Sequence, residues 1–456
     1  MMQALLGDEA KALLNALTHD PCVAVRPNVT KGKVKVVGGQ TVPWSSMGRI
    51  LTDRPAFTFD PLFHAGCYYV QEPSTLFVEV AVRQALSLLS PTTPLTVLDL
   101  CAAPGGKTTL MRSLLPDDAL LVANEPVTGR LQVLHENVMK WGHPSMAVTS
   151  AQGKDFGQMT SAFDLILVDA PCSGEGMMRK EDEAARQWSP TLVGQCSKLQ
   201  RRIVSDVWNA LRPGGFLIYC TCTYNVEENE ENVMHFCRDL GAEVLPLPVD
   251  EAWGICGSLS PDIRIPVYRF MPHRVDGEGF FLALLRKTGD AWSLKPETRK
   301  KKNAQFPTLN SQIRPWIADG DYSSLETGGV VHALPFQYVS FVSWLAGHVH
   351  LVSAGVPVAE TSKGKVRPVT ALALSNLLKE GAFPVAELTY TEAIRYLRRE
   401  TLVLPSSTPH GIVLVAFMGR PLGFVNNLQS RANNLYPPSW RILSAHVPGH
   451  YQPVVE

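Results

Sequence analysis

The 456-residue sequence lacks any uninterrupted apolar run long enough to cross a bilayer, which excludes a chain organised around transmembrane helices. Its first 20 residues are apolar at helical spacing, but they include acids and lack both a basic leading segment and a small-residue cleavage site. We therefore expect this segment to be a folded helix of a cytoplasmic protein rather than a secretory leader.

The nine cysteines lack the regular spacing of a disulfide framework, and their number is odd. Both observations favour reduced thiols in a reducing compartment. A zinc site at Cys220, Cys222, His235 and Cys237 is an alternative, but C-x-C followed by H-x-C matches no common ligand spacing. We therefore expect no metal site.

The sequence also lacks a net charge, because 42 Lys and Arg residues balance 42 Asp and Glu residues. The balance differs between the two parts of the chain. Residues 1–286 carry 25 basic and 31 acidic side chains, whereas residues 287–456 carry 17 and 11. The modest excess of basic side chains in the second part favours nucleic-acid binding. A solvated surface with mixed charges is the alternative.

Length alone suggests two to four domains, and no repeat of solenoid length is present. Changes in composition and pattern divide the chain at three places. Residues 1–70 read as a small mixed α+β module, and residues 71–288 alternate between apolar runs and helical segments. Residues 289–382 begin with a polar, basic linker, and residues 383–456 combine one helix with strands.

The alternating part predicts a Rossmann-like α/β sheet. Its predicted strands are "PLTVLDL", "ALLVANE", "FDLILVD", "GGFLIYCTCT" and "GEGFFLALLRK", and segments with helical spacing separate the first four. Strict alternation of strand and helix indicates a parallel sheet covered on both faces. Ligands of such sheets lie at the carboxyl ends of the strands.

The segment "VLDLCAAPGGKTTLM" (97–111) reads as strand, small-residue loop and helix. A dinucleotide site requires G-x-G-x-x-G, but only Gly105 and Gly106 are present. A P-loop requires glycine where Cys101 stands. S-adenosylmethionine is the third interpretation, because its amino-acid end needs a close backbone and its ribose needs an acid. Glu125 follows Gly105 by about 20 residues, the offset at which such sheets place a ribose-binding carboxylate.

Two later segments each end an apolar run with a thiol. "DLILVDAPCSGEG" (164–176) carries Cys172, and "CTCTYNVEENEENV" (220–233) carries Cys220 and Cys222. Side chains alternate across a strand, and we expect Cys220 to pack below the site. The other two thiols remain candidates for chemistry.

The segments "DLCAAPGGKT", "DAPCSGEG" and "TCTYNVEENE" resemble, in the same order, the signature motifs of the RNA cytosine-C5 methyltransferase family, the Nop2/Sun or RsmB/RsmF group. The resemblance implies a class I S-adenosylmethionine-dependent methyltransferase sheet. It also implies methyl transfer from that cofactor to C5 of a cytosine in RNA through a covalent Cys–C6 intermediate.

The resemblance also implies the cofactor contacts. The loop expected around the methionine end consists of Cys101, Ala102, Ala103, Pro104, Gly105, Gly106 and Lys107. Glu125 would hold the ribose. Gln152 aligns with the adenine contact, with Asp155 close by. Asp169 matches the family's acid at the fourth strand.

The chemistry explains why thiols are needed. Carbon 5 of cytosine is a poor nucleophile, and addition of a thiolate to C6 makes it carbanion-like. A carboxyl group such as that of Asp169 can serve N3 as negative charge builds. Chemistry alone leaves either Cys172 or Cys222 as the nucleophile. The resemblance assigns attack to Cys222, product release to Cys172, and a place near cofactor and base to Lys107. Methylases of exocyclic amines, the competing enzyme class, need no thiol.

The resemblance extends beyond the sheet. "QEPST" (71–75), "GVPVAETSKGKVRPVTALALS" and "GRPLGFVNNLQSRANNLYPPSWRI" are similar to flanking segments of bacterial 16S rRNA methyltransferases in this group, the last being a PUA-like module. RNA-binding regions are therefore implied at 1–70, 289–382 and 383–456. We expect a monomer that acts on 16S rRNA or the 30S subunit. A tRNA cytosine-C5 methyltransferase and a non-catalytic rRNA-binding assembly factor are the alternatives.

Basic and aromatic side chains in the last part suit phosphate contacts and stacking on unpaired bases. They are Arg395, Arg398, Arg399, Arg420, Arg431 and Arg441 with Tyr396, Tyr436 and Trp440. Burial in a core is the alternative for Tyr436 and Trp440. Arg179 and Lys180, which follow Cys172, are expected on a loop over the substrate backbone, with a solvated charged helix as the alternative.

Overall fold

The computed structural model describes residues 2–89, 94–289, 306–362 and 364–456. The linker expected after Lys287 falls largely at positions 290–305, outside the described residues. Within the described ranges, no helix has both the length and the apolarity that a membrane crossing requires.

The chain begins with a small α+β module. Its elements are α1 (Met2–Leu6), α2 (Glu9–Ala16), β1 (Ala24–Pro27), β2 (Gln40–Thr41), β3 (Arg49–Ile50), α3 (Pro61–His64) and β4 (Tyr68–Gln71). The strands form an antiparallel sheet in the order β2-β3-β1-β4. Helix α3 begins where the Asp60 carboxylate accepts the N–H of Leu62, with Pro61 at the first helical position.

The middle of the chain alternates between strands and helices. Its elements are α4 (Val78–Leu88), β5 (Thr96–Asp99), α5 (Gly106–Leu114), β6 (Leu120–Asn124), α6 (Thr128–Trp141), β7 (Met146–Ser150), α7 (Gly153–Gly157), β8 (Phe163–Asp169), α8 (Asp182–Gln187), α9 (Pro190–Val207), β9 (Leu211–Thr221), α10 (Glu230–Leu240), β10 (Ala242–Leu245), β11 (Tyr268–Phe270) and β12 (Phe280–Lys287). Apolar runs form the buried strands, and Gly142 in the left-handed conformation ends α6.

The remaining elements form two further sheets and contribute one strand to the central one. They are β13 (Tyr322–Thr327), β14 (Val330–Pro335), α11 (Val339–Ala346), β15 (His350–Ala354), β16 (Val356–Ser362), β17 (Lys365–Pro368), α12 (Thr370–Ala373), β18 (Val385–Glu387), α13 (Tyr390–Leu397), β19 (Gly411–Phe417), β20 (Arg420–Asn427) and β21 (Ala432–Asn434). The two sheets run β13-β14-β16-β17 and β18-β19-β20-β21.

The central sheet has the order β10-β12-β9-β8-β5-β6-β7-β15, with β11 paired to β12. Strands β5 to β9 are parallel, β12 and β15 run antiparallel to them, and β10 pairs antiparallel with β12. Helices α4, α5 and α6 pack on one face, while α7, α9, α10 and α11 pack on the other. The predicted Rossmann-like α/β sheet with helices on both faces is confirmed. Strands β7, β10 and β11 were not predicted. The segment "HVHLVSAGVPVAE" (348–360) has a β-like pattern, but the pairing of its first strand, β15, with the central sheet was not predicted either.

The first module supports the central sheet through Arg26 of β1, whose side chain is fully buried. Its guanidinium donates to the hydroxyl of Thr109 at 2.8 Å and to the carbonyl of Gly106 at 3.4 Å, both in α5. It also lies 4.7 Å from the ring centroid of Trp141. Burial lowers the pKa of Arg26 to about 9, so the guanidinium stays charged at neutral pH. The start of α5 is therefore tied to the first module.

The first module also shares its core with the C-terminal sheet. Val36 forms a bridge with Val455, and Arg420 donates to the carbonyls of Lys31 at 2.7 Å and Lys33 at 2.9 Å. Apolar side chains of both parts form one cluster. The guanidinium of Arg420 is thereby committed to protein carbonyls.

The C-terminal aromatic side chains lie in the core, which confirms that alternative for Tyr436 and Trp440 and makes the base-stacking expectation wrong for Tyr396. Tyr396 and Tyr436 are fully buried and Trp440 is 8% exposed. Their rings pack edge to face in the shared core. The ring centroids of Tyr396 and Tyr436 are 5.3 Å apart, and those of Tyr436 and Trp440 are 6.0 Å apart. The interleaved pattern in the sequence therefore reflects aromatic side chains that are buried in a core, with arginines around that core.

A fully buried ion pair joins α10 to β11. Arg269 donates to both carboxylate oxygens of Glu230, at 2.7 and 2.8 Å, and both side chains are 0% exposed. Such a pair is costly to break because the remaining charge is left without a partner in a low-dielectric interior.

We expect Arg269→Met to destabilise the protein by about 3–5 kcal/mol, because it strands the Glu230 carboxylate. The double variant Arg269→Met/Glu230→Leu should recover most of that loss. Calorimetric unfolding measures both effects. Arg238→Met, which breaks an exposed pair with Asp239, is the control and should leave the transition midpoint unchanged. An Arg269→Met midpoint equal to that of wild type would show that the buried pair does not hold α10 and β11 together.

Candidate active site

The candidate residues converge at the carboxyl edge of the central sheet. Parallel pairing places the ends of β5, β6, β8 and β9 side by side. In the register of β8 and β9, Asp169 lies opposite Cys220. The loops that follow these two strands carry Cys172 and Cys222. Two thiols that are 50 positions apart in sequence therefore meet at one edge.

The small-residue loop between β5 and α5 is held from its neighbours. The side chain of Arg130 donates to the carbonyl of Ala103 at 2.9 Å, and that of Asn137 donates to the carbonyl of Pro104 at 2.8 Å. Gly105 adopts φ +113, a conformation that favours glycine. A Cβ on Gly106 would lie 3.1 Å from the ring of Tyr69. The conformation at Gly105 therefore favours glycine, and a side chain at Gly106 would require the Tyr69 ring to shift.

Other atoms of this loop lie below the surface. Ala102 and Ala103 are each 5% exposed, and the N–H of Ala102 donates to the carbonyl of Asn124 at 2.9 Å. Burial raises the pKa of the Cys101 thiol, which therefore stays protonated. The first turn of α5, which begins at Gly106, presents backbone N–H groups of the kind that bind carboxylates.

Asp99, at the end of β5, was not singled out from the sequence. Its side chain is 0% exposed, and Oδ2 accepts the hydroxyl of Thr108 at 2.6 Å. Oδ1 has no hydrogen-bond partner among the described residues. Burial raises the pKa of Asp99 to about 7, with Asp169 and Glu125 adding to the rise and Thr108 and Lys107 opposing it. Asp99 is the acid that begins the segment "DLCAAPGG", and its place directly before the small-residue loop was the sequence signal that could have identified it.

The next two strands place further polar groups at the same edge. Glu125 follows β6, is 2% exposed, and accepts the N–H of Val127 at 2.9 Å while Arg130 lies 3.7 Å away. Gln152 follows β7 and is exposed. The carboxylate of Asp155 accepts the Gln152 N–H at 2.9 Å, so it closes the first turn of α7. Gln152 and Asp155 both remain candidates for an adenine contact.

These groups fit S-adenosylmethionine. A buried carboxylate oxygen of Asp99 without a partner in the described part of the chain matches a ligand that carries positive charge. The crowding around Gly105 and Gly106 leaves backbone rather than side chain facing the ligand. Glu125 supplies a nearly buried carboxylate at the position where such sheets bind a ribose.

Lys107 and Asp169 form an ion pair at the centre of the site. The ammonium lies 2.7 Å from Oδ2 of Asp169, and the side chains are 15% and 31% exposed. Burial acts to lower the pKa of Lys107, but the Asp169 carboxylate, through its charge and its hydrogen bond with the ammonium, raises the pKa above its ordinary value. Lys107 therefore stays charged at the centre of the site.

The two candidate thiols are in contact. Sγ of Cys172 lies 3.0 Å from Sγ of Cys222, and the N–H of Cys222 donates to Sγ of Cys172 at 3.4 Å. The hydrogen bond with Cys222, burial and the nearby negative charges raise the pKa of Cys172 well above its ordinary value. Cys172 therefore stays a thiol, which can donate to the sulfur of Cys222.

Cys220 is fully buried in the apolar core beneath the site, so its predicted packing is confirmed. Burial raises its pKa well above the ordinary value. The alternative zinc set is also dispersed, because His235 pairs with Asp239 at 2.7 Å on the far helix α10. In the described part of the chain, no three His, Cys, Asp or Glu side chains converge as metal ligands.

The loop after Cys172 differs from the expectation of a substrate-backbone contact. Arg179 is 7% exposed and forms an ion pair with Glu278 at 2.8 Å. Lys180, with 30% exposure, lies 3.4 Å from the same carboxylate. The expectation is therefore wrong for Arg179, because its guanidinium is used inside the protein.

Comparison with known proteins matches three family models along the chain. Residues 86–286 match 16S rRNA methyltransferase RsmB/F. Residues 1–73 match the N-terminal domain of 16S rRNA methyltransferase RsmF, and residues 383–442 match the methyltransferase RsmF PUA domain.

Curated relatives are similar over most of their length. Ribosomal RNA small subunit methyltransferase F of Shewanella loihica is 31% identical over 384 residues, covering 82% of this chain and 77% of the relative. The protein of the same name from Shewanella sp. strain ANA-3 is 32% identical over 420 residues, covering 87% of this chain and 84% of the relative.

Solved structures agree in fold. A methyltransferase homolog protein from Pyrococcus horikoshii is 26% identical with a TM-score of 0.51, covering 63% of this chain and 93% of that one. NSun6 from Pyrococcus horikoshii with SFG is 20% identical with a TM-score of 0.51, covering 63% of this chain and 97% of that one.

Binding of S-adenosylmethionine should depend on pH through Asp99. The positive ligand favours the ionised carboxyl, so below a pKa of about 7 binding must release a proton. Affinity should therefore rise about tenfold between pH 5.5 and pH 7 and then level off. Isothermal titration calorimetry measures this change. Asp99→Asn should bind weakly without the rise, whereas Asp155→Asn should keep it. A flat wild-type profile would show that Asp99 does not ionise on binding.

Proposed function

The chain belongs to the 16S rRNA methyltransferase RsmB/F family, and on that premise we propose that it methylates C5 of a cytosine in 16S rRNA. It is an S-adenosylmethionine-dependent RNA methyltransferase with a C-terminal PUA domain. The observation that carries the residue assignment is the contact between Cys172 and Cys222 at the carboxyl edge of the sheet. The family's reaction requires thiol chemistry at this edge, and two thiols lie there.

We assign the cofactor to the edge formed by the ends of β5, β6 and β7. When bound, S-adenosylmethionine supplies an electrophilic methyl group. The loop 101–107 and the carboxylates of Asp99 and Glu125 would hold it, and Gln152 or Asp155 would contact its adenine. These groups come from three neighbouring strands, so their spacing is fixed by the sheet rather than by one loop.

Cys222 is the nucleophile in this assignment. Its sulfur adds to C6 of the cytosine, a C6–S bond forms, and the displaced electron pair makes C5 nucleophilic. The attacking form is the thiolate, so the proton of the Cys222 thiol passes to solvent before the C6–S bond forms. In its protonated form the carboxyl group of Asp169 donates to N3 as negative charge builds on the ring, and the ammonium of Lys107, 2.7 Å away, stabilises the carboxylate that remains.

Cys172 assists release. After the C5–methyl bond has formed, the C5 proton passes to solvent and its electron pair restores the C5=C6 double bond as the C6–S bond breaks. The departing sulfur of Cys222 becomes negative. Cys172 lies 3.0 Å from that sulfur, and its raised pKa keeps it protonated as a hydrogen-bond donor. Removing this donor should slow release more than addition.

We assign RNA binding to residues 1–70, 289–382 and 383–456, with the methyltransferase domain at 71–288. The C-terminal part carries the basic excess, which suits phosphate contacts. The target base must leave its stack to reach the thiol, which favours a loop or a flipped nucleotide. We propose that the protein acts as a monomer, without metal, in the cytoplasm, where ribosomal subunits are made.

A covalent complex tests the assignment of the two thiols. With 16S rRNA and S-adenosylmethionine, Cys172→Ala should accumulate a protein–RNA adduct that survives denaturing electrophoresis, because addition proceeds and release is slowed. Cys222→Ala should form no adduct and lose methyl transfer by about a thousandfold or more. Cys196→Ala, a change at a half-buried thiol of α9, is the control and should behave as wild type. An adduct formed by Cys222→Ala but not by Cys172→Ala would reverse the roles.

The substrate class is tested by tritiated methyl transfer from S-adenosylmethionine to 30S subunits, naked 16S rRNA and total tRNA. We expect label in one or both ribosomal substrates, recovered as 5-methylcytosine, and none in tRNA. Label in tRNA alone would replace the substrate with the tRNA alternative. No label in any of the three would favour a non-catalytic assembly factor.

A further inference from the structure

A buried carboxylate lies between the two loops that carry the thiols. Glu175 follows Cys172 by three positions and begins the short helical turn Glu175–Met177. Its side chain is 1% exposed. The sequence motif "GEG" contains it, but the reaction assigned above does not use it.

Every hydrogen-bonding group that the structure places on this carboxylate is a neutral donor. Oε2 accepts the hydroxyl of Thr223 at 2.7 Å and the N–H groups of Tyr224 at 2.7 Å and Asn225 at 3.0 Å. Oε1 accepts the indole N–H of Trp188 at 2.9 Å and the side-chain amide of Asn225 at 3.4 Å. Three of the four donor residues immediately follow Cys222. The carboxylate of Glu175 therefore fixes the path of the chain just beyond that thiol.

The next residue binds Cys222 itself. The N–H of Gly176 donates to the carbonyl of Cys222 at 2.8 Å. A Cβ on Gly176 would lie 2.8 Å from that carbonyl oxygen and 2.8 Å from the backbone of Gly279. Gly176 therefore binds the carbonyl of Cys222, while Glu175 binds the N–H groups of Tyr224 and Asn225. Together they hold the backbone of residues 222–225. No side chain can be added at Gly176 without displacing this turn.

A second network shows that the turn is connected to both thiols. The hydroxyl of Ser173, next to Cys172, lies 3.0 Å from that of Thr223. The side chain of Asn225 donates to Glu228 at 2.7 Å, and Glu228 accepts the N–H of Ser173 at 3.1 Å. Hydrogen bonds of the Thr223, Asn225 and Glu228 side chains therefore join the loop that carries Cys222 to Ser173 in the loop that carries Cys172.

We propose that Glu175 is a positioning residue for the nucleophile: its carboxylate fixes the turn at 222–225, so that the sulfur of Cys222 stays beside Cys172 and Lys107. This inference rests on the proposed function. Glu175 is not a catalytic residue, because its burial and its donors keep it away from substrate. Only an anion suits the position, since a glutamine would turn an NH₂ donor toward groups that are all donors.

Glu175→Gln is the sharpest test, because it conserves shape and removes only the acceptor. With RNA that contains 5-fluorocytosine, which cannot lose a C5 proton, single-turnover adduct formation should slow by about 30-fold or more. The Kd for S-adenosylmethionine and for RNA should stay within about threefold of wild type, because neither ligand is expected to touch Glu175. Glu175→Asp, which keeps two acceptor oxygens, should recover part of the rate.

Glu230→Gln is the matched control, since it makes the same change at a carboxylate that is equally buried but pairs with Arg269 away from the thiols. It should lower the melting temperature and leave the adduct rate of the folded protein unchanged. If Glu175→Gln fails to fold, Thr223→Val carries the same test. It removes one donor to Oε2, and its adduct rate should fall about fivefold.

Three results would overturn the inference. An adduct rate for Glu175→Gln within about threefold of wild type would show that the carboxylate does not position the nucleophile. Equal slowing in Glu230→Gln would show a general loss of stability. An unchanged rate in Thr223→Val, where Glu175→Gln does not fold, would show that the turn needs no such contact. Absence of any adduct with the wild-type protein would instead contradict the covalent reaction itself, and the inference would fall with it.

Discussion

The pairing of β8 with β9 is the constraint on which the active site depends. Both strands are buried on two faces, so their apolar side chains fix the register, and Asp169 lies opposite Cys220. A slip of one residue would turn every side chain of β9 to the other face and move the loop beyond it by about 3.3 Å. The contact between Cys172 and Cys222 would then be lost. Hydrophobic burial thus determines the geometry of a polar site.

The polar groups at this edge are stabilised in different ways, and the difference suits their roles. Asp99 has one short hydrogen bond and one oxygen without a partner among the described residues, so near neutral pH its carboxyl is only partly ionised until a positive ligand binds. Asp169 has a cation beside it, while Glu175 is surrounded by neutral donors. The first suits ionisation linked to ligand binding. The second suits proton donation to a ring, because the cation stabilises the carboxylate that remains. The third suits a permanent structural role.

Much of the fold and site was predictable, because the signals were local. Long apolar runs separated by helical spacing indicated β5, β6, β8, β9 and β12, and short motifs marked Lys107, Cys172 and Cys222. The pairing of β15 with β7 was missed because the two strands lie more than 190 residues apart in the sequence. Tyr436 was ambiguous for a related reason, since a buried ring and an RNA-stacking ring look alike in sequence. The role inferred for Glu175 depends on donors near residue 224, which no local pattern indicates.

The pairing of β15 with β7 has a consequence for target selection. His350 lies opposite Ser150, two residues before Gln152, so the C-terminal half adds a strand to the sheet that binds the cofactor. The strand is followed directly by β16 of the next sheet. Under the RNA-binding assignment proposed above, RNA bound by that half would lie at a fixed distance from Cys222. The shape of the RNA between the two points of contact would then determine which nucleotide reaches the sulfur.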